Sequence, residues 1–143
     1  MYEGLGAISK ELELGNYTYN SHTFGVRPDV FDADEDLKQF WDVTAHSFMP
    51  NGTAFIASVE AKDYPIFATQ YHPEKPTQDW FDGKNINHSH ESIELQQHFS
   101  KVFVDMARAN PNTFGNFSET DQHVISNYEV INTLTAYSEV YAF

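Results

Sequence analysis

The chain has 143 residues, enough for one domain with a sizeable core, and its 41% hydrophobic content with twelve Phe and eight Tyr argues against disorder. Eight Lys and Arg against twenty-one Asp and Glu give a formal charge of −13, which argues against nucleic-acid binding because phosphate recognition needs a basic face. With no cysteine there is no disulfide within the chain, and no apolar run approaches the length that spans a bilayer.

Residues 4–14 have mixed periodicity that fits a short helix or a strand. Residues 16–26 are polar and aromatic, punctuated by Gly15 and Gly25, the composition of a surface loop beside a site. On residue grounds His22 reads as an exposed loop histidine. Residues 32–41 open with carboxylates and then place Leu37, Phe40 and Trp41 at i, i+3 and i+4, which predicts a short helix. The acidic cluster could be taken for a cation site, but a helix N-terminus explains it without a metal. Residues 41–49 and 53–61 read as strands joined at Pro50-Asn51-Gly52, where Asn-Gly supplies the positive φ values of a tight hairpin. Lys62-Asp63-Tyr64-Pro65 turns the chain into a third strand, so that three successive strands form a meander.

That third stretch, Tyr64-Pro65-Ile66-Phe67-Ala68-Thr69-Gln70-Tyr71-His72-Pro73-Glu74-Lys75, reads as an apolar strand running into a loop. Pro73 has a fixed φ and no backbone donor, so the chain is predicted to leave the strand there. His72 and Glu74 would then stand at the carboxyl end of the strand, where open α/β sheets place their chemistry. A neutral imidazole whose tautomer is fixed by a carboxylate can take a proton from a nucleophile, with His72 as base and Glu74 as orienter. The competing reading of the tripeptide is a surface turn.

Residues 76–87 read as a polar loop carrying Trp80 and Phe81. Ser89-His90-Glu91-Ser92 looks like a helix start, and the helix is predicted to run to about Asn110. Ile93, Leu95, Phe99, Val102, Phe103 and Met106 form one broad apolar face expected to cover the sheet. His90, Glu94 and His98 recur at four-residue spacing near His88 and could hold a divalent transition metal. Because Lys101 and Asp105 continue the stripe, a solvated polar edge is the competing reading. Pro111 ends the helix. Residues 115–143 alternate polar with Val, Ile, Tyr and Leu, which suggests an added edge strand and a packed end at Tyr141-Ala142-Phe143.

The run from Tyr64 to Lys75, with Trp80 following, is similar to the C-terminal catalytic segment of the class I glutamine amidotransferase superfamily. Within it the likeness is to γ-glutamyl hydrolase, a cysteine-type hydrolase of folate polyglutamates. It extends from about Ser9 through Asn20-Ser21-His22, Leu37-Lys38-Gln39-Phe40-Trp41 and Phe55-Ile56-Ala57-Ser58-Val59-Glu60 to Phe99, Phe103-Val104 and Ala107-Arg108. The resemblance implies an α/β fold: residues 1–143 would be the C-terminal part of one flavodoxin-like domain, with a strand meander, a long covering helix, and residues 115–143 as an extension. It implies catalytic roles for His72 and Glu74, substrate contact by Asn20 and His22, and neither a cofactor nor a resident metal.

The family attacks with a cysteine thiolate on an elbow upstream of the histidine, and this chain has none. The thiol is therefore expected from the missing N-terminal part of the domain or from a companion chain, and residues 1–143 alone are expected to be inactive. Two further readings stay open: a glutaminase domain of an amidotransferase, and a non-catalytic relative kept as a binding or structural module. The expected ligand is a γ-glutamyl small molecule, with neither nucleic acid nor membrane as partner and a homodimer open. Asn16-Tyr17-Thr18, Asn51-Gly52-Thr53, Asn87-His88-Ser89 and Asn116-Phe117-Ser118 are glycosylation acceptors in a secretory pathway. Together with the resemblance they point to a secreted or lysosome- or vacuole-like destination.

Overall fold

The computed structural model of the chain describes residues 1–2, 4–5, 10, 12–13, 15–80, 82–133 and 139–142. The expectation for residues 4–14 lies largely outside the described residues, and Phe81 and Phe143 lie outside them as well. The chain divides into two units, Met1–Arg108 and Ala109–Phe143, which are described separately.

In the first unit a short helix α1, Pro28–Asp32, starts on a proline whose fixed φ suits the first helical position. The sequence reading missed it. Helix α2, Glu35–Phe40, confirms the expected helix: Leu37 N–H donates to the Asp34 carboxylate at 3.0 Å, and Glu35 and Asp36 occupy the first turn. The acidic run is thus a helix start, where carboxylates satisfy free amides and complement the dipole.

Strands β1, Trp41–Phe48, and β2, Ala54–Ala61, pair antiparallel from Trp41↔Ala61 to Phe48↔Ala54, with an irregularity around Ala45. Their connection differs from the tight turn expected of Asn-Gly. Gly52 alone in it takes a positive φ, +84°, while Gly52 N–H donates to Met49 O at 2.8 Å and Met49 N–H to Thr53 O at 2.9 Å. Pro50 holds its φ negative, which forces a longer loop with a single left-handed position at the glycine.

Strand β3, Phe67–Thr69, pairs antiparallel with β2 through Ser58↔Thr69, Val59↔Ala68 and Glu60↔Phe67, giving the sheet order β1-β2-β3. The meander is as expected, and the unit is a small mixed α/β arrangement with antiparallel strands. The third strand is shorter than expected, because the chain leaves the ladder after Gln70 rather than at Pro73. Phe55, Ile56, Ala57 and Ser58 are all buried, so the central strand is covered on both faces. Phe31 of α1 shares an apolar groove with Ile56, Val59 and Ala68. Phe55 and Ala57 form a core with Tyr71 and Phe99.

Phe99 comes from the long helix α4, His90–Ala109, whose Ser92 N–H is capped by the Ser89 hydroxyl at 3.2 Å. Its start and extent match the expectation, and Leu95 and Phe99 face inward as expected, but the rest of the expected face is not buried. The buried stripe is Ser92, Leu95, Gln96 and Phe99 at i, i+3, i+4 and i+7, whereas Phe103 is 63% exposed and Val102 and Met106 are half-buried. Along the proposed metal stripe, His90 lies 3.8 Å from Glu94, while His98 Nε2 lies 3.1 Å from the carbonyl of Met1. Among the described residues no group of three His, Asp, Glu or Cys is placed to hold a metal ion.

The second unit holds helix α5, Phe117–Gln122, started by the Asn116 side chain accepting Glu119 N–H at 3.0 Å. A 3-10 turn, Ile125–Asn127, follows. Strands β4, Val130–Asn132, and β5, Glu139–Tyr141, then pair antiparallel as a sheet of their own. The expected edge strand of the tail is therefore a separate two-stranded pair, and Tyr141 and Ala142 are exposed rather than packed.

Replacing Phe99 with Ala should cost about 3–5 kcal/mol of unfolding free energy, read by urea titration, because it empties the centre of the core. Phe103→Ala should cost less than about 1 kcal/mol; equal losses would place the inward face of α4 where the apolar pattern alone put it.

Candidate functional site

The site is built where β3 gives out. After Gln70 N–H donates to Ala57 O at 2.8 Å the chain peels away from β2. A residue from the loop of residues 16–26 takes up the vacated ladder position: Ile56 N–H donates to Val26 O at 2.8 Å. The same loop meets the departing chain at a single antiparallel bridge, Tyr19↔His72, with His72 N–H on Tyr19 O at 2.9 Å. Gly25 lets it lie close to the sheet, since a Cβ there would stand 3.3 Å from the Cβ of Phe55. Its near end is tied to α4, where Ser92 Oγ at 3.1 Å and Gln96 Nε2 at 2.8 Å both donate to Tyr17 O. Buried carbonyls need donors, which is why two polar residues occupy the inward stripe of α4. Sequence reasoning missed Ser92 and Gln96; polar residues at core spacing on a helix were the available signal.

His72 Nδ1–H donates to Glu74 Oε1 at 2.9 Å, so the structure brings this expected pair together. With Nδ1 carrying the proton, Nε2 keeps its lone pair and can act as a base. The two side chains are 39% and 53% exposed, so the pair stands at the surface rather than in the core. Pro73 cannot continue a ladder, and the residues after it do not form the expected loop at once. Glu74 stands at the N-cap of a four-residue helix α3, Lys75–Gln78, and its backbone oxygen accepts Thr77 N–H at 3.2 Å and Gln78 N–H at 3.0 Å. Its carboxylate makes no cap bond, being turned to His72 instead.

Asn20 and His22 lie on the loop that is bonded to His72. His22 Nδ1–H donates to Phe24 O at 2.9 Å, and Nε2 lies 3.2 Å from Asn20 Oδ1, with the ring 5.2 Å from that of Phe55. Asn20 also borders a cleft of about 280 Å³ walled by Tyr2, Thr44, His46 and Tyr71. Three of these walls are joined through the buried Ser58: Tyr71 Oη meets Tyr2 Oη at 3.0 Å, Tyr2 Oη meets Ser58 Oγ at 2.7 Å, and Ser58 Oγ meets Thr44 Oγ1 at 2.8 Å. Burial, then the neighbouring Tyr2, pushes the Tyr71 phenol far above its ordinary range, so it stays neutral and serves as a hydrogen-bonding wall. In this arrangement His72 can move a proton, but no thiol is present to be activated.

An imidazole hydrogen-bonded to a carboxylate just beyond a strand, with a second histidine on the adjoining loop, is an arrangement able to move a proton. No family model matches the chain. Individual proteins do: it is 34% identical to γ-glutamyl hydrolase B of Dictyostelium discoideum over 88% of its length, covering 37% of that protein. It is 30% identical to probable γ-glutamyl hydrolase 3 of Arabidopsis thaliana over 95% of its length, covering 39% of that protein. Against the γ-glutamyl hydrolase of Mus musculus the identity is 28% over 92% of the chain and 42% of the relative. The chain is a homologue of the γ-glutamyl hydrolases, and it spans about two fifths of the length of the curated relatives it matches.

Replacing Glu74 with Ala removes the acceptor of Nδ1–H without touching the ring. At about pH 9, where an imidazole is neutral, nitrogen NMR should show the Nδ1–H fraction of His72 falling about twofold or more. An unchanged fraction would mean that the carboxylate does not orient the ring in solution.

Proposed function

We propose that this chain is the C-terminal part of a cysteine-type hydrolase that cleaves γ-glutamyl amide bonds, with folate polyglutamates or similar molecules as substrates. The observation that carries the reading is the 2.9 Å bond between His72 Nδ1–H and Glu74 in a homologue of the γ-glutamyl hydrolases. The whole fold would be flavodoxin-like, with strands and a nucleophile elbow from an N-terminal part of the same domain or from a companion chain. Two facts support a further part: the chain spans about two fifths of its relatives' length, and it holds no cysteine.

In the assembled site the thiol loses its proton to His72 Nε2, while Glu74 holds Nδ1–H and stabilises the cation that forms. The thiolate attacks the γ-amide carbonyl, and the leaving amine takes the proton from Nε2. Water then resolves the acyl-enzyme with His72 again as base, releasing the acyl part as its γ-carboxylate and regenerating the thiol; in a folate polyglutamate the amine that left first is that of the glutamate tail. Asn20 and His22, on the loop bonded to His72, are suited to hydrogen-bond the polar groups of a glutamyl residue. A secreted or lysosome- or vacuole-like location fits the four glycosylation acceptors, and a second copy of the assembled domain is a candidate partner. The exposure of His72 favours this reading over a non-catalytic module, in which a buried structural histidine would serve as well.

Residues 1–143 alone should release no glutamate from a γ-glutamyl peptide, because the nucleophile is missing. Joined to the N-terminal portion of a γ-glutamyl hydrolase relative, the chain should turn over, and His72→Asn in that fusion should lower kcat by a factor of about 10²–10⁴. Turnover by residues 1–143 themselves, or an unaffected His72→Asn fusion, would overturn the reading. Release of ammonia from free glutamine in preference to glutamate from the peptide would favour the glutaminase alternative.

A further inference from the structure

Helix α3 is too short to hold itself, since four residues cannot recover the entropy of nucleating a helix. Yet Glu74 is its N-cap, so whatever fixes α3 also fixes the residue whose carboxylate orients His72. The fixing group is a buried carboxylate. Asp79 caps the end of α3 with its N–H on Lys75 O at 3.0 Å, and its side chain is only 7% exposed. One oxygen, Oδ2, accepts from Lys75 Nζ at 2.8 Å and from Lys84 Nζ at 2.6 Å, closing a clasp from the first residue of α3 to the far side of the following loop. The hydrogen bond to Asp79 holds the Lys75 ammonium above its ordinary range, as expected of a cation kept charged by its partner. His88 lies with Nδ1 2.9 Å from Pro76 O and stacks on Trp80 at 3.9 Å, adding a second tie to the same turn.

We infer that Asp79 is a positioning residue of the site: clasped by Lys75 and Lys84, it holds α3 so that the Glu74 carboxylate turns back to His72 Nδ1 instead of capping the helix. This rests on the reading of His72 and Glu74 as an oriented pair. It assigns no contact with substrate to Asp79. Because the carboxylate is buried and shared by two ammonium groups, removing it or one of the lysines weakens the tie across the turn.

The test is the Nδ1–H fraction of the His72 ring, measured by nitrogen NMR on the full chain at about pH 9. Asp79→Asn should lower that fraction about twofold, and Asp79→Glu, which keeps the charge, should restore most of it. Lys84→Met, at a side chain that is 40% exposed, should lower it in the same direction and decides the matter should Asp79→Asn fail to fold. Neither change should alter the fraction once Glu74 is already Ala, because the effect passes through that carboxylate. A folded Asp79→Asn or Lys84→Met chain with an unchanged fraction would overturn the proposal, as would an equal change in the Glu74→Ala background. If Glu74→Ala alone changes nothing, it is the pairing of His72 with Glu74 that fails, a result distinct from failure of the clasp.

Discussion

The bond from His72 N–H to Tyr19 O closes a chain reversal on which the rest of the site depends. Ladder hydrogen bonds hold β3 to β2 only as far as Gln70, and the backbone beyond must find other partners or stay solvated. Tyr19 supplies one, and Val26 fills the ladder position left open at Ile56. Because both come from one loop, the sheet end and the loop are specified together. Asn20 and His22 reach the neighbourhood of His72 through this backbone pairing, with no side-chain contact between the two histidines required.

The fold was legible in the sequence where local chemistry decides structure. The carboxylates before Leu37, the two strands flanking Pro50-Asn51-Gly52 and the hydroxyl before α4 all behave as their types predict. Reading failed where a residue answers to a distant partner. The apolar pattern of α4 pointed to Phe103, but the carbonyl of Tyr17 draws Ser92 and Gln96 inward and turns the helix accordingly. Asn-Gly suggested a tight turn, yet the preceding proline imposed a longer loop. The tail alternates like a strand and pairs with itself, since alternation specifies a face and leaves the partner open.

At the site, the tripeptide His72-Pro73-Glu74 announced its own pairing, because two residues separated by a proline can reach one another across the turn. The clasp at Asp79 was silent. An aspartate and two lysines in a polar stretch read as solvated charges, and only burial of the carboxylate distinguishes them from surface residues. The wall formed by Tyr2, Ser58, Thr44 and Tyr71 was equally hidden, being assembled from β1, β2 and two segments far apart in the chain.

The brevity of β3 sets how the reversal moves. Three register pairs join it to β2, so a small opening, far short of global unfolding, suffices to release the segment that carries the imidazole. Regions that admit another molecule are commonly drawn from the low-stability end of a protein. The shortest strand of the sheet and the His72 ring are thus neighbours, and how firmly the ring is held is inherited from strand length.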